Sequence, residues 1–517
     1  HAVNRFCLPS YHFCDATKAH NYFVYEDDLP LLFDEFNKIK SGEITEHSLH
    51  YRWLDRQHNP VWIDCRGDVI LDEFNKPLYL IGCVNEIGKR QKADNISGLL
   101  REPSLEEYIS SKSKNNITGY FMQIGIDDFE EINGRFGLKC GDEILKQFSR
   151  CMQSCINENQ KIYELGNGRF IIMDLANHTK EDILELYDEL KKSVEVALEE
   201  NAYRMVYTIS VGIVEIDKEM QDYDTLIKYS EFALNEAKKK GKNSCYFFTQ
   251  DKYKQFIRRR EIRVGLQNAV DHNFKNFDIY YQPIIDIHTR NLIGAEALMR
   301  FKMKRNEQIE FVSPAEFIPI LEESGLIIPT GRWILRQAVA CCKKWQEFIP
   351  EFKVNVNLSY VQIIKSRILD EIKQALKDYN LKPALLGIEV TESGYLENTY
   401  HYKKLWSSLK EEGITLVLDD YGTGYSNAYR LSNLTPHYIK IDRVLTQKAL
   451  SSNYERSILI YIIEMAHSLK LNVCIEGVET EEELQEIKKL NPDYIQGYLF
   501  GKPAPEDEFY NRQIKKK

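Results

Sequence analysis

The chain has 517 residues, 43% hydrophobic and 28% charged, and its 68 Lys and Arg face 78 Asp and Glu for a formal charge of −10. At roughly 100–200 residues per domain this is chain enough for about three domains with full cores. The acidic balance argues against a protein that coats a nucleic-acid polymer, no apolar run reaches the ~20 residues of a membrane helix, and no signal-peptide pattern opens the chain. The 11 cysteines are scattered, with no CxxC pair and no zinc spacing, which points to a reduced cytoplasmic interior. The sequence starts at His1 rather than Met, so an upstream segment, a membrane anchor included, stays open.

Residues 1–90 are strand-like and aromatic. EDDLPLLFDEFNKIKSG reads as a helix opened by acids and stopped near Gly42. Ser48–Leu54, Pro60–Val69 and Leu78–Val84 then read as three strands separated by the polar turns DRQHN and DEFNK. The string YRWLDRQHNPVWIDCRGDVILDEFNKPLYLIGCVNEIG resembles the C-terminal half of a PAS sensor domain. With no flavin-type cysteine motif and no histidine placed as a haem ligand, a ligand-free dimerisation or relay module is expected.

Residues 91–249 alternate helices with apolar strands. Gly119–Ile126 is a strand, Asp142–Ile156 a helix, Lys161–Met173 a hairpin, Thr179–Asn201 a helix and Val206–Val214 a strand. Tyr223–Lys240 is a helix closed by Gly241 at its C-cap. The strings DNISGLLRE, IGIDDFEEINGRFGLKCGDEIL, YTISVGIV and ALNEAKKKGKNS resemble the GGDEF family of diguanylate cyclases. Its signature turn reads Gly166-Asn167-Gly168-Arg169-Phe170 here, and the metal-binding Asp of the preceding strand is Gly125. Glycine has no ligand atom and arginine repels a cation, so cyclase activity, which needs divalent metal, is not expected. The inhibitory RxxD motif is also absent, replaced by Asn157-Glu158-Asn159-Gln160. Asn133 and Asp142 match the positions that contact guanine, so the resemblance leaves GTP binding without turnover open, with Arg169 a candidate partner for phosphate.

Residues 250–517 begin with a basic linker helix, 252–267. Eight apolar runs follow: Ile279–Ile285, Leu292–Phe301, Phe352–Ser359, Leu385–Val390, Ile414–Leu418, Tyr438–Ile441, Asn472–Ile475 and Tyr494–Phe500. Helical patterns separate most of them, such as Pro314–Glu323, Trp333–Phe348, Tyr360–Tyr379 and Glu455–Leu469. This predicts a (β/α)8 TIM-type barrel. Only Asp286–Asn291 joins the first two runs, too short for a parallel crossover, so the barrel is modified by an antiparallel first strand pair. The whole chain is thus multidomain, α+β followed by two α/β regions. Glu296, Asn357, Glu389, Asp419, Asp420, Lys440, Glu476, Glu479 and Gln496 lie in or just after successive strands, where barrel enzymes build their sites. So many carboxylates in one pocket require cations, and oxygen ligands without His or Cys favour Mg2+ or Mn2+.

YYQPI, EALMRF, NVNLS, IEVTES, LDDYGTGYSN, IKIDR, IEGVET and YIQGYLFGKP resemble the EAL family of cyclic di-GMP phosphodiesterases. That resemblance implies a two-metal site with Glu296, Asn357, Glu389 and Asp419 on the first ion, and Asp419 and Asp420 on the second. It implies that Glu476 and Lys440 complete the site and orient the attacking water, with Glu479 and Gln496 lining the pocket. Gln282, Leu298 and Arg300 would hold the dinucleotide, and Glu392 would anchor the DDYGTGYSN loop that reaches a dimer interface. The expected reaction is hydrolysis of cyclic di-GMP to linear pGpG by a homodimer, regulated by the two preceding domains. The alternative is a cyclic di-GMP receptor with little turnover; receptors of the family typically lose acids, and here the set is complete.

Overall fold

The computed structural model describes residues 5–8, 16–72, 76–86, 94, 96–112, 118–157, 159–176, 178–200, 206–217, 222–305, 307–391, 399–422 and 435–515. They form two compact units, His1–Lys254 and Gln255–Lys517.

The first unit opens with a PAS-like α+β domain. Helix Leu29–Ser41 carries Pro30 in its first turn and ends at Gly42, whose φ of 76° is a left-handed cap that glycine takes without strain. Strands β1 (Glu46–Leu54), β2 (Pro60–Leu71) and β3 (Pro77–Glu86) form an antiparallel meander. Tyr51, Trp53, Val61 and Ile63 are buried from its strands, packing with Phe23 and Leu32 of the helices. Asp28 ties the turn before the helix to β1. Its Oδ2 accepts from the backbone N–H of Arg52 at 2.8 Å, and its Oδ1 accepts from Nη2 of the same arginine at 2.7 Å.

The GGDEF-like α/β domain follows as a six-stranded sheet. Its strands are β4 (Leu100–Arg101), β5 (Gly119–Ile126), β6 (Gln160–Gly166), β7 (Arg169–Asp174), β8 (Ile209–Ile216) and β9 (Cys245–Phe247), in the order β4-β6-β7-β5-β8-β9. Every residue of β5 is buried because helices cover both faces. Tyr120, Met122, Ile124 and Ile126 join the core under helices Leu138–Cys155 and Lys180–Glu200, while Phe121 faces a second core with Leu226. Two details differ from expectation. A further helix, Phe129–Phe136, precedes Leu138–Cys155. Helix Tyr223–Lys239 is capped by Lys240, and Gly241 takes the positive φ of 123° one residue later.

The second unit is a distorted barrel of the EAL type. The strands are β10 (Phe277–Asp286), β11 (Leu292–Arg305), β12 (Gln308–Val312), β13 (Lys353–Asn357), β14 (Leu386–Thr391), β15 (Thr415–Tyr421), β16 (Tyr438–Ile441), β17 (Asn472–Glu476), β18 (Tyr494–Gln496) and β19 (Ala504–Pro505). β11 and β13 to β18 pair in parallel succession. β10 closes the ring, antiparallel to both β11 and β18, as the short connection requires. β11 outruns the expected strand and turns back as the hairpin β12 outside the ring. The expected single helix over 360–379 is two, Tyr360–Lys365 and Ile368–Asp378. Ser366 leaves the helical region (φ −124°, ψ 174°), and its hydroxyl bonds back to the Gln362 carbonyl at 2.9 Å, competing with the backbone ladder. The basic helix runs over Gln250–Asp271. Among the described residues no helix is long and apolar enough to cross a membrane.

Candidate active site

Strand side chains alternate between faces, so residues two apart share one face. On β13 this groups Lys353, Asn355 and Asn357; on β16, Tyr438 and Lys440; on β17, Asn472, Cys474 and Glu476. Register then gathers the polar ends: Gln282 lies opposite Glu296, Asn357 beside Glu389, and Glu476 beside Gln496.

Lys440 is the centre, its side chain 1% exposed. Its ammonium lies 2.8 Å from Glu296 Oε2, 3.0 Å from Glu389 Oε2, 3.3 Å from Asp419 Oδ1 and 2.7 Å from Glu476 Oε1. Asn357 Nδ2 donates to Glu296 Oε1 at 2.7 Å. Gln496 Nε2 donates to Glu296 Oε2 at 2.8 Å and to Gln282 Oε1 at 3.0 Å.

One ammonium does not balance five carboxylates, and their titration reflects it. Burial opposes ionisation of Glu296, yet Lys440, Gln496 and Asn357 hold its carboxyl below the ordinary range. Burial and the neighbouring Glu296 and Asp419 push Glu389 well above that range, against the pull of Lys440. Burial is the first cause for the others too: Asp419 is raised, Asp420 is pushed up to about 6 with help from Asp419, and Glu476 to about 8 despite Lys440. Burial works against the Lys440 ammonium, but the surrounding acids outweigh it and raise its pKa.

The deficit of positive charge fits divalent metal. Oxygen atoms of Glu296, Glu389 and Asp419 lie within 4.8 Å of one another, as do those of Asp419, Asp420 and Glu476, so Asp419 belongs to both groups. The Oε1 atom of Gln496 is buried and finds no hydrogen-bond partner among the described residues. An all-oxygen donor set suits a hard ion. Asp420 holds a positive φ of 56°, uncommon for a residue with a side chain, and its N–H donates to Asp419 Oδ1 at 2.9 Å. That turn lets two consecutive aspartates serve one centre.

Two residues here were not singled out from the sequence. Asn355 Nδ2 donates to Glu389 Oε1 at 2.6 Å and also contacts the Tyr438 hydroxyl. Gly387 makes the room: a Cβ there would stand 2.1 Å from Asn355 Oδ1. The available signal was parity, since Asn355 and Tyr438 sit two residues before Asn357 and Lys440.

The remaining predicted residues divide. Leu298 and Arg300 line a cavity of about 580 Å³ beside Asn357, Asp419 and Asp420, with Ile318, Ile327 and Ile334 as an apolar wall. The half-buried Arg300 guanidinium lies 5.3 Å from the Tyr280 ring centroid and donates to the Met299 carbonyl at 2.9 Å. Glu479 pairs with Arg443 at 2.8 Å. Glu392 and most of the DDYGTGYSN loop lie outside the described residues.

In the GGDEF-like domain, the Lys238 ammonium lies 3.1 Å from where a Cβ of Gly125 would be. Arg169 pairs with Glu231 at 2.9 Å, so a cation and an ion pair occupy positions where a metal site needs acids. Asn133 packs against Gly141, and its Oδ1 is buried without a partner among the described residues; the half-buried Asp142 sits next to that glycine.

Family comparisons divide the chain in the same way. The PAS fold matches residues 12–84, the diguanylate cyclase GGDEF domain 92–244 and the EAL domain 263–503. Signaling protein YkoW of Bacillus subtilis is 31% identical over 399 residues, 76% of this chain and 48% of its own length. The cyclic di-GMP phosphodiesterase PdeR of Escherichia coli is 28% identical over 470 residues, 89% of this chain and 68% of its own. The cyclic di-GMP phosphodiesterase NbdA of Pseudomonas aeruginosa is 28% identical over 418 residues, 80% and 52%. This chain therefore spans about half the length of several curated relatives it matches. A solved phosphodiesterase complex with c-di-GMP, PaMucR, is 28% identical with a TM-score of 0.45, covering 48% of this chain and 99% of that one. The chain has a PAS–GGDEF–EAL architecture that matches the EAL-type cyclic di-GMP phosphodiesterase family.

Proposed function

We propose that residues 250–517 hydrolyse cyclic di-GMP to linear pGpG, and that the domains at 1–90 and 91–249 regulate that activity. The observation that carries this reading is the pair of carboxylate groups sharing Asp419 at the barrel mouth. Glu296, Asn357, Glu389 and Asp419 would hold one Mg2+ or Mn2+, and Asp419, Asp420 and Glu476 the other. When bound, such ions lower the pKa of water and neutralise the phosphodiester and the leaving oxygen. The chain's own residues do the positioning. Lys440 holds the acids in place and keeps positive charge beside the attacked phosphate. Glu476, a ligand beside the Lys440 ammonium, would orient the attacking water. Arg300 meets a phosphate oxygen through charge-assisted bonds, and Leu298 with the isoleucine wall receives a planar base. Gln282 and Gln496 fix the second side of the dinucleotide, and Glu479, paired with Arg443, lines the same pocket.

The test is chromatography of cyclic di-GMP incubated with the full chain and Mg2+ or Mn2+. The expected result is pGpG, and none when EDTA is present. Binding without turnover under both metals would overturn the reading and leave a receptor.

Metal affinity is expected to depend on pH. Asp420 at about 6 and Glu476 at about 8 must lose protons to become ligands. Affinity therefore rises with pH from 6 to 8, by up to roughly tenfold per unit for each proton released. Calorimetric Mg2+ titrations at three pH values measure this; a flat profile contradicts it.

For the GGDEF-like domain, Asn133 and Asp142 stand at the positions that the family resemblance assigns to guanine contact, which supports retained guanine recognition. Calorimetry is expected to show GTP binding that Asn133→Ala weakens at least about tenfold, the scale of one or two lost hydrogen bonds. Product analysis should show no cyclic di-GMP formed from GTP, since Gly125, Gly168 and Arg169 supply no metal ligand.

A further inference from the structure

The strands of the barrel begin around a second cavity, of about 540 Å³, at the end opposite the carboxylates. Lys353 opens β13, Thr415 β15, Tyr438 β16, Asn472 β17 and Tyr494 β18, and all five line it. Its charge is of one sign: Lys353, Lys410, Lys470 and His437 face it, and no carboxylate is among its lining residues. Lys302 and Lys344 of this unit, by contrast, pair with Asp278 and Glu506. No described carboxylate forms an ion pair with Lys353, Lys410 or Lys470. Lys410 donates to the Thr435 hydroxyl at 3.1 Å, with Thr435 held at a φ of 43° that β-branched residues avoid.

His437 adds a donor. Its Nδ1 accepts from the Leu416 N–H at 2.9 Å, so a neutral ring carries its proton on Nε2. Burial first, and then the charges of Lys410 and Lys353, hold its pKa below the ordinary range, as expected where positive potential is uncompensated. Such a cluster lowers its own self-repulsion by taking an anion. Ile284, Ile293, Leu469 and Leu471 give the wall an apolar side, next to the polar Thr415, Thr435, Asn472 and Tyr494. The volume far exceeds one phosphate and lies in the usual range for small-molecule pockets, roughly 300–1,000 Å³.

We propose that this cavity binds a small organic phosphate, its anionic group held by Lys353, Lys410, Lys470 and His437 and its apolar body against Leu469 and Leu471. Asn355 and Tyr438 form part of the lining, and the same Asn355 holds Glu389. A ligand there touches the support of the hydrolytic site without entering it.

Calorimetry of the full chain with phenyl phosphate, in EDTA, tests this. The probe is no nucleotide, and without metal the acidic mouth repels it. The expected result is one site, weakened at least tenfold in Lys410→Gln/Lys470→Gln and in Lys353→Gln. It should be unchanged in Lys488→Gln/Lys489→Gln, which removes the same charge from another surface of the barrel. Inorganic phosphate should bind several-fold more weakly than phenyl phosphate. No binding by the native chain, or equal affinity in all variants, overturns the proposal; so does equal loss in the control pair. Equal affinity for the two probes overturns the apolar half of it. Thermal unfolding of each variant separates lost binding from lost fold.

Discussion

Asp419→Asn is expected to lower cyclic di-GMP turnover by about 10³-fold or more while leaving the barrel folded. Asp419 is the one described residue common to both carboxylate groups, so the change weakens both ion sites at once. Two-metal stabilisation of a phosphoryl transition state amounts to several kcal/mol, and each 1.36 kcal/mol is about tenfold in rate. The asparagine keeps an oxygen that accepts the Asp420 N–H bond, so the turn at positive φ survives. Arg300, Leu298 and Gln282 are untouched, so the loss should fall mainly on kcat. Steady-state hydrolysis with circular dichroism as the fold control measures this. Turnover within tenfold of the native chain would show that the two groups do not act as one site.

Lys440→Met is expected to have the largest effect on stability. Its ammonium is the only cation within ion-pair distance of Glu296, Glu389, Asp419 and Glu476 among the described residues. Removing one partner of a buried ion pair costs about 3–5 kcal/mol, because the other charges are left uncompensated. The sign with pH follows from the raised carboxyls. Glu389, Asp419 and Glu476 are held above their unfolded values, so the folded state takes up protons more readily than the unfolded chain. Their contribution is favourable below the unfolded carboxylate range, near pH 4, and is lost as pH rises through about 8. The penalty of the methionine should therefore be larger at pH 8 than at pH 6, and millimolar Mg2+ should recover part of it. Urea denaturation of the barrel transition in EDTA and in Mg2+ checks both signs. A variant as stable as the native protein at pH 8 in EDTA would mean that the carboxylates find other neutralisation.

The barrel was legible because its polar residues fall in or just after successive apolar runs. YYQPI, EALMRF and IKIDR each place a charged or amide side chain inside a short apolar run, and register sets Gln282 opposite Glu296. The antiparallel β10–β11 pair followed from a six-residue connection alone. Asn355 and Tyr438 escaped notice because a polar residue inside a buried strand reads as part of the run until its partner, Glu389, is known. Helix Phe129–Phe136 is eight residues with Gly134 near its end, too short for periodicity to declare. The break at Ser366 depends on one local hydrogen bond, which composition does not report. The pairing of Glu479 with Arg443 is likewise a matter of three dimensions.

Lys440 also bears on how fast the site can be filled. One rigidly held ammonium already gathers four carboxylates, so their rotamers are chosen when the chain folds rather than when an ion arrives. Little side-chain ordering is left to oppose capture. An incoming ion instead shares the cage with a resident positive charge, and the two repel. Under the proposed function, such a site would exchange its ions readily with the surrounding solution, and its occupancy would follow the free divalent concentration. Under that function, the barrel would then respond to the ionic composition around it as well as to the supply of its substrate.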